Sequence, residues 1–209
     1  MVYEPKTAGR RDKLREALTA AAERAIAAKG LTGLKARALA AEAGCAVGAI
    51  YNAVADLDEL VFAVNARTLA ALENLLTAEG NEAPGSCADA IGHLVRLALV
   101  YVDYAAANRP RWRALFDHHP PAGRDIPDWY MADQHRLFGY VEGSLAVLQP
   151  DTARDRRALL ARSLFSAVHG IVVLGLEEKL QYIPLPVLRE QLTLMVEAMG
   201  KGLAQQSVT

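Results

Sequence analysis

Apolar residues return every three or four positions along the start of the chain: Leu14, Leu18, Ala21, Ala22, Ala25 and Ile26. That interval puts them on one face of a helix, predicted over residues 7–29 and stopped by Gly30. Two short segments follow, at 34–43 and 46–53, with Gly44 between them. Asp56 then stands as an N-cap, with Glu59 three residues on in capping-box position, for a helix reaching about residue 79. Further helices are expected at 86–108, 111–118, 127–148, 152–180 and 186–204, with Pro150-Asp151 supplying a break and a new N-cap. No period-two run of β-branched residues interrupts this pattern. The expectation is an all-α fold of nine helices, with a head at residues 1–55, a body at 56–209, and a fourth helix shared by both.

The pair of short helices carries the chemistry. Gly44 can adopt the positive φ that a sharp helix stop demands, and Leu39, Ala43, Cys45 and Ile50 are expected to point inward. The third helix is then left with Ala46, Val47, Gly48, Ala49, Tyr51 and Asn52 on its outer side. This is a helix-turn-helix, whose second helix fits the DNA major groove. Tyr51 and Asn52 offer hydroxyl and amide groups to phosphates or base edges.

Charge agrees with that division. Residues 1–55 hold nine Lys/Arg against five Asp/Glu, whereas 56–209 hold fourteen against nineteen. A basic head on an acidic body suits a nucleic-acid partner, and Arg10, Arg11, Lys35 and Arg37 are its candidate phosphate contacts. Cys45 and Cys87 form no disulfide framework, no signal region opens the chain, and residues 163–176 are too short a run to span a bilayer. A cytoplasmic location without membrane attachment is expected.

The unit from the first helix's "AAKG" through "LKARALAAEAGCAVGAIYNAVADLDEL" resembles the DNA-binding head of the TetR family of bacterial repressors. Leu39, Ala40, Ala43, Gly44, Cys45, Ala46, Gly48, Ile50 and Tyr51 carry the match in order and spacing. The segment "SAVHGIVVLGLE" also resembles the branch named for a Trp-His-Gly motif, with Val168 in place of the tryptophan. Three positions depart from the family's habits. Ala46 and Val47 replace polar residues at the start of the third helix, and Leu57 stands where many members carry a phosphate-binding lysine.

The resemblance implies a homodimer built on the last two helices, a double-stranded DNA operator and a small-molecule effector bound in the body. Leu164, Ala167, Gly170, Ile171 and Leu174, with Leu188 and Met195, are the expected dimer residues. For the effector, His93, Tyr101, Asp103 and Tyr104, with the aromatic side chains of Trp112, Phe116, Trp129 and Phe138, form the candidate lining. No cofactor, metal ligand set or catalytic group is expected, because HExxH, CxxC and nucleophile-elbow spacings are missing. His118-His119 is read as a solvated helix end, and His169 as a satisfied core or interface histidine. The functional expectation is a ligand-responsive repressor. The alternative is a helical carrier or enzyme whose head does not read DNA.

Overall fold

The structure, a computed structural model, describes residues 6–79, 84–177 and 182–206. Among them are nine α-helices and no strand: α1 (Lys6–Lys29), α2 (Ala36–Glu42), α3 (Val47–Ala53), α4 (Leu57–Ala78), α5 (Cys87–Ala107), α6 (Arg109–Asp117), α7 (Asp128–Leu148), α8 (Arg154–Leu176) and α9 (Leu185–Gln206). A 3₁₀ turn at Gly30–Gly33, not anticipated from the pattern, joins α1 to α2. The chain forms two compact units, Met1–Ala70 with Asn108–Tyr130, and Ala71–Ala107 with Met131–Thr209. The first therefore gathers α6 and the start of α4 around the segment expected as the head.

In that first unit the predicted stripe of α1 is the core. Leu18, Ala21, Ala22 and Ile26 are fully buried against Leu39, Ile50, Val54 and Leu60. Each large aliphatic side chain so buried contributes about 1.5–3 kcal/mol. Ion pairs such as Arg67 to Glu16 and Glu23 lie at the rim, where such a pair is worth about 0–1 kcal/mol. Packing, not charge, therefore holds these helices together. Asn65 Nδ2 donates to the carbonyl of Ala114 at 3.1 Å, tying α4 to α6 inside the same core.

The second unit packs α5, α8 and α9 together. Two glycines permit the closest approaches: a Cβ on Gly175 would lie 2.6 Å from Leu188 Cδ1, and one on Gly200 would lie 2.9 Å from Ile91. Polar pairs tie α5 to its neighbours. His93 Nδ1 lies 2.8 Å from Ser144 Oγ of α7, and the Tyr101 hydroxyl lies 2.7 Å from His169 Nδ1 of α8. His169 is thus a satisfied histidine, as read from the sequence.

One expectation about α8 is corrected. It starts at Arg154 behind Ala153 with no side-chain cap, so Asp151 is not its N-cap. By length and composition alone α5 and α8 could each cross a membrane, a test that core helices also pass. The expected continuation to residue 180 falls outside the described residues.

Burial holds the proton affinity of His93 below the ordinary histidine value, helped by nearby Arg96 and opposed by Glu79; burial alone lowers that of His169. Below pH ~6.5 an unfolded chain takes up these protons before the folded one does, so stability is lost as pH falls through that range. The thermal midpoint is expected to drop between pH 7.5 and 5.5, and His93→Asn should reduce the drop. A parent midpoint unchanged across that interval would show that these rings are not held neutral.

Candidate nucleic-acid interface

Gly44 turns the chain between α2 and α3 with φ +67°. The turn is closed by hydrogen bonds from Gly44 N to Ala41 O and from Cys45 N to Ala40 O. Ala40 is buried beneath it, and Cys45 packs half-buried against the core. The seven residues of α3 make only two turns, about 10 Å of helix. Ile50 and Ala53 are its buried residues. Ala46, Val47, Gly48, Tyr51 and Asn52 face solvent, Tyr51 at 54% and Val47 at 40% exposure, with Ala49 half-buried between them.

Four exposed cations belong to the same helical unit. A concavity of about 870 Å³ runs between α1 and α3, lined by Arg10 and Arg11 on one side and by Cys45, Ala46, Ala49 and Asn52 on the other. Lys35, in the N-cap position of α2, and Arg37 in its first turn are both exposed. A short, small-faced helix beside Arg10 and Arg11, with Lys35 and Arg37 exposed at the start of α2, has the dimensions and charge for a duplex major groove and its bordering phosphates. Leu57, at the position of the missing lysine, packs instead against the head core.

The residues expected to line an effector site fall in both units. His93, Tyr101, Asp103, Tyr104 and Phe138 belong to the second unit, whereas Trp112, Phe116 and Trp129 belong to the first. Trp112 is buried in ring contact with Phe116, and Trp129 is exposed against Tyr130. Asp103 is exposed and ion-paired with Arg189 of α9. In the second unit Tyr101, Phe138, Phe165 and His169 are joined by ring contacts. Phe165 was missed in the sequence, although it lies one helical turn before His169.

The expected dimer residues also divide. Ala167, Leu174 and Met195 are exposed, and Gly170 and Ile171 are half-buried. Leu164 is buried, and Leu188, 2% exposed, packs on Gly175 within the chain. Leu188 thus serves the α8–α9 contact and is unavailable to a partner. His118 corrects another expectation: its side chain is only 8% exposed, and Nε2–H donates to Asp58 Oδ1 at 2.8 Å. Among the described residues no group of three His, Cys, Asp or Glu side chains is arranged to hold a metal ion.

Two glycines of the interface separate fold from contact. Gly44 needs its positive φ, so Gly44→Ala should destabilise the chain by about 1–2 kcal/mol. A Cβ on Gly48 would meet nothing within 4 Å, so Gly48→Ala should stabilise by about 0.5–1 kcal/mol. Urea midpoints moving in the same direction for both variants would contradict this.

Comparison with known proteins places the chain. Residues 94–199 match the family described as tetracyclin repressor-like, C-terminal domain. No curated protein matches it. Among solved structures, a protein of unknown function from Rhodococcus sp. RHA1 shares 26% identity over 91% of this chain and 95% of its own, with a TM-score of 0.70. A TetR-like transcriptional regulator from the same organism covers 90% and 96% at 16% identity, with a TM-score of 0.58. The TetR family regulator PfmR from Thermus thermophilus covers 90% and 97% at 16% identity, with a TM-score of 0.51. With the family match spanning half of its length, the chain belongs to the TetR family of transcriptional regulators, which are not enzymes.

Proposed function

We propose that the protein is a homodimeric, ligand-responsive repressor that leaves a palindromic operator when a small, largely apolar molecule binds its body. The observation that carries this reading is the solvent-facing side of α3, small and uncharged, sharing a concavity with Arg10 and Arg11. In this assignment residues 1–55 read DNA, and residues 56–209 bind effector and partner. Val47, Gly48, Ala49 and Asn52 face bases, Ala46 lies at the groove's edge, and Tyr51 with the four cations holds phosphate.

The effector's character is inferred from the body. Tyr101, Phe138, Phe165 and His169 offer ring faces, with the hydroxyl–imidazole pair and His93 as the polar groups. Such surroundings suit an apolar ligand with one or two hydrogen-bonding groups. Release of DNA follows by population shift: an effector that favours a non-binding arrangement by about 1–3 kcal/mol lowers operator affinity about five- to 150-fold. The location is cytoplasmic, where a regulator meets its operator.

The dimer uses one apolar face from each of the last two helices. On α8, Leu159, Ser163, Ala167, Gly170 and Leu174 follow helical spacing, and Leu159 and Leu174 are exposed. On α9, Val187, Leu194 and Met195 are exposed in the same way. Two such faces meeting about a two-fold axis would pair two heads with a two-fold operator.

Selection from random duplexes should recover a palindrome, and its affinity should fall steeply with salt. Tyr51→Phe and Lys35→Ala should weaken binding to every sequence, the latter also flattening the salt dependence by about one unit of slope. Val47→Thr or Asn52→Ala should instead change the preferred sequence. Recovery of no sequence above background, with equal weak binding to all duplexes, would refute the operator reading. For the dimer, Leu174→Glu with Met195→Glu should give a folded monomer in sedimentation equilibrium, whereas Leu188→Glu should lose helical structure. A Leu174→Glu, Met195→Glu protein that stays dimeric would place the interface elsewhere.

A further inference from the structure

The first turn of α4 holds three carboxylates within four residues, Asp56, Asp58 and Glu59, and each has a cationic partner from elsewhere in the first unit. Asp56 Oδ1 caps the helix by accepting from Glu59 N at 2.9 Å, and Glu59 Oε2 accepts from Ala55 N at 2.7 Å. Glu59 is also paired with Arg15 of α1 at 2.7 Å. The other two carboxylates are held by residues 118–124, which follow α6: His118 bonds Asp58, and Arg124 pairs with Asp56 and with Asp58. Negative charge at a helix N-terminus is favourable, but three close carboxylates repel one another. Their cations relieve that repulsion while fixing the turn in place.

The grip continues along the helix. One turn on, Phe62 takes the edge of the His118 ring at 4.9 Å and that of Tyr130 at 5.2 Å. Its ring is buried, and the His118 side chain is almost so, which shields these contacts from solvent and salt. From this turn back to the end of α3 there are only three residues, 54–56. Val54 is buried and extended, and Asp56 is committed to capping. A shift in the first turn of α4 must therefore be taken up by α3.

We propose that His118 and Arg124 are positioning residues for DNA binding: by holding Asp58 and Asp56 they set the first turn of α4 and, through the three-residue link, the seat of α3. Neither belongs to the helix-turn-helix. In a dimer their effect would be on the geometry with which two α3 helices meet two half-sites, not on the bases each one prefers. This rests on the operator-binding reading above.

The test uses full-length protein and the palindrome selected with the parent, in its original form and with one base pair inserted or removed between half-sites. His118→Ala and Arg124→Ala are expected to bind random-sequence duplex within about twofold of the parent, because the phosphate-facing cations remain. Their preference for the original spacing should fall by about tenfold. His118→Gln, which keeps a donor at the Nε2 position, and Arg124→Lys should recover most of it. Spacing preference unchanged in both alanine variants would overturn the proposal. So would an equal loss toward all duplexes, or a loss that the conservative variants do not repair, since either would mark general support of the fold. If the parent itself selects no palindrome, the operator reading falls first, and that is seen before any variant is made.

Discussion

A helix of seven residues cannot sustain itself. Nucleation fixes several residues for the first hydrogen bond, and isolated helices shorter than about 12 residues are marginal in water. The interface depends on how α3 escapes that limit. It contributes Ile50 and Ala53 to a core already formed by Leu18, Ala21, Ala22 and Ile26 of α1 and by Leu39 of α2. Because those two residues carry its share of the core, its other positions need not serve folding. Gly48 shows this: neither φ nor packing calls for a glycine there. Gly44, only four residues earlier, is a glycine for the fold's own reasons.

The second unit solves a different problem, holding long helices close while leaving apolar surface outside. Gly175 and Gly200 remove side chains where Leu188 and Ile91 press in. Close packing there accounts for Leu188, Leu192 and Val196, which are buried on one side of α9. Val187, Leu194 and Met195 remain about half exposed. Some of the remaining polar groups act as struts between helices. Tyr101–His169 and His93–Ser144 join α5 to α8 and α7, and Thr77–Tyr140 and Glu73–Arg136 join α4 to α7.

What the sequence disclosed was local. The α1 stripe, the stops at Gly30 and Gly44 and the cap at Asp56 depend on neighbours within a turn or two, so pattern and propensity suffice. What it concealed was the choice of partner across the chain. Leu174 and Leu188 look alike as members of apolar stripes, yet one is exposed and the other covered by its own α8. The aromatic side chains between 101 and 138 are close in sequence but divide between two units, because the chain passes from one to the other at 107–108 and again at 130–131. His118 beside His119 reads as a solvated helix end until Asp58, sixty residues earlier, is brought against it. Even the capping box differs in detail: Glu59 reaches back to Ala55 N, one residue before the N-cap.

The head's economy in charge follows from the same division of labour. Leu57 joins the core at a position where, on the operator-binding reading, a lysine would add a phosphate contact. Lys35 and Ala46 occupy N-caps of α2 and α3 without capping them, at a cost of about 1 kcal/mol each relative to serine or threonine. At Leu57 the chain favours packing over a cation. At Lys35 it favours a cation over a cap. Phosphate contacts strengthen specific and non-specific binding alike, so fewer of them lower both affinities and leave their ratio largely intact. What a regulator needs among a genome of competing sites is that ratio. On the operator-binding reading proposed above it is governed by base contacts and by the placement of α3, and the fixing of α4's first turn would then matter more than another surface cation.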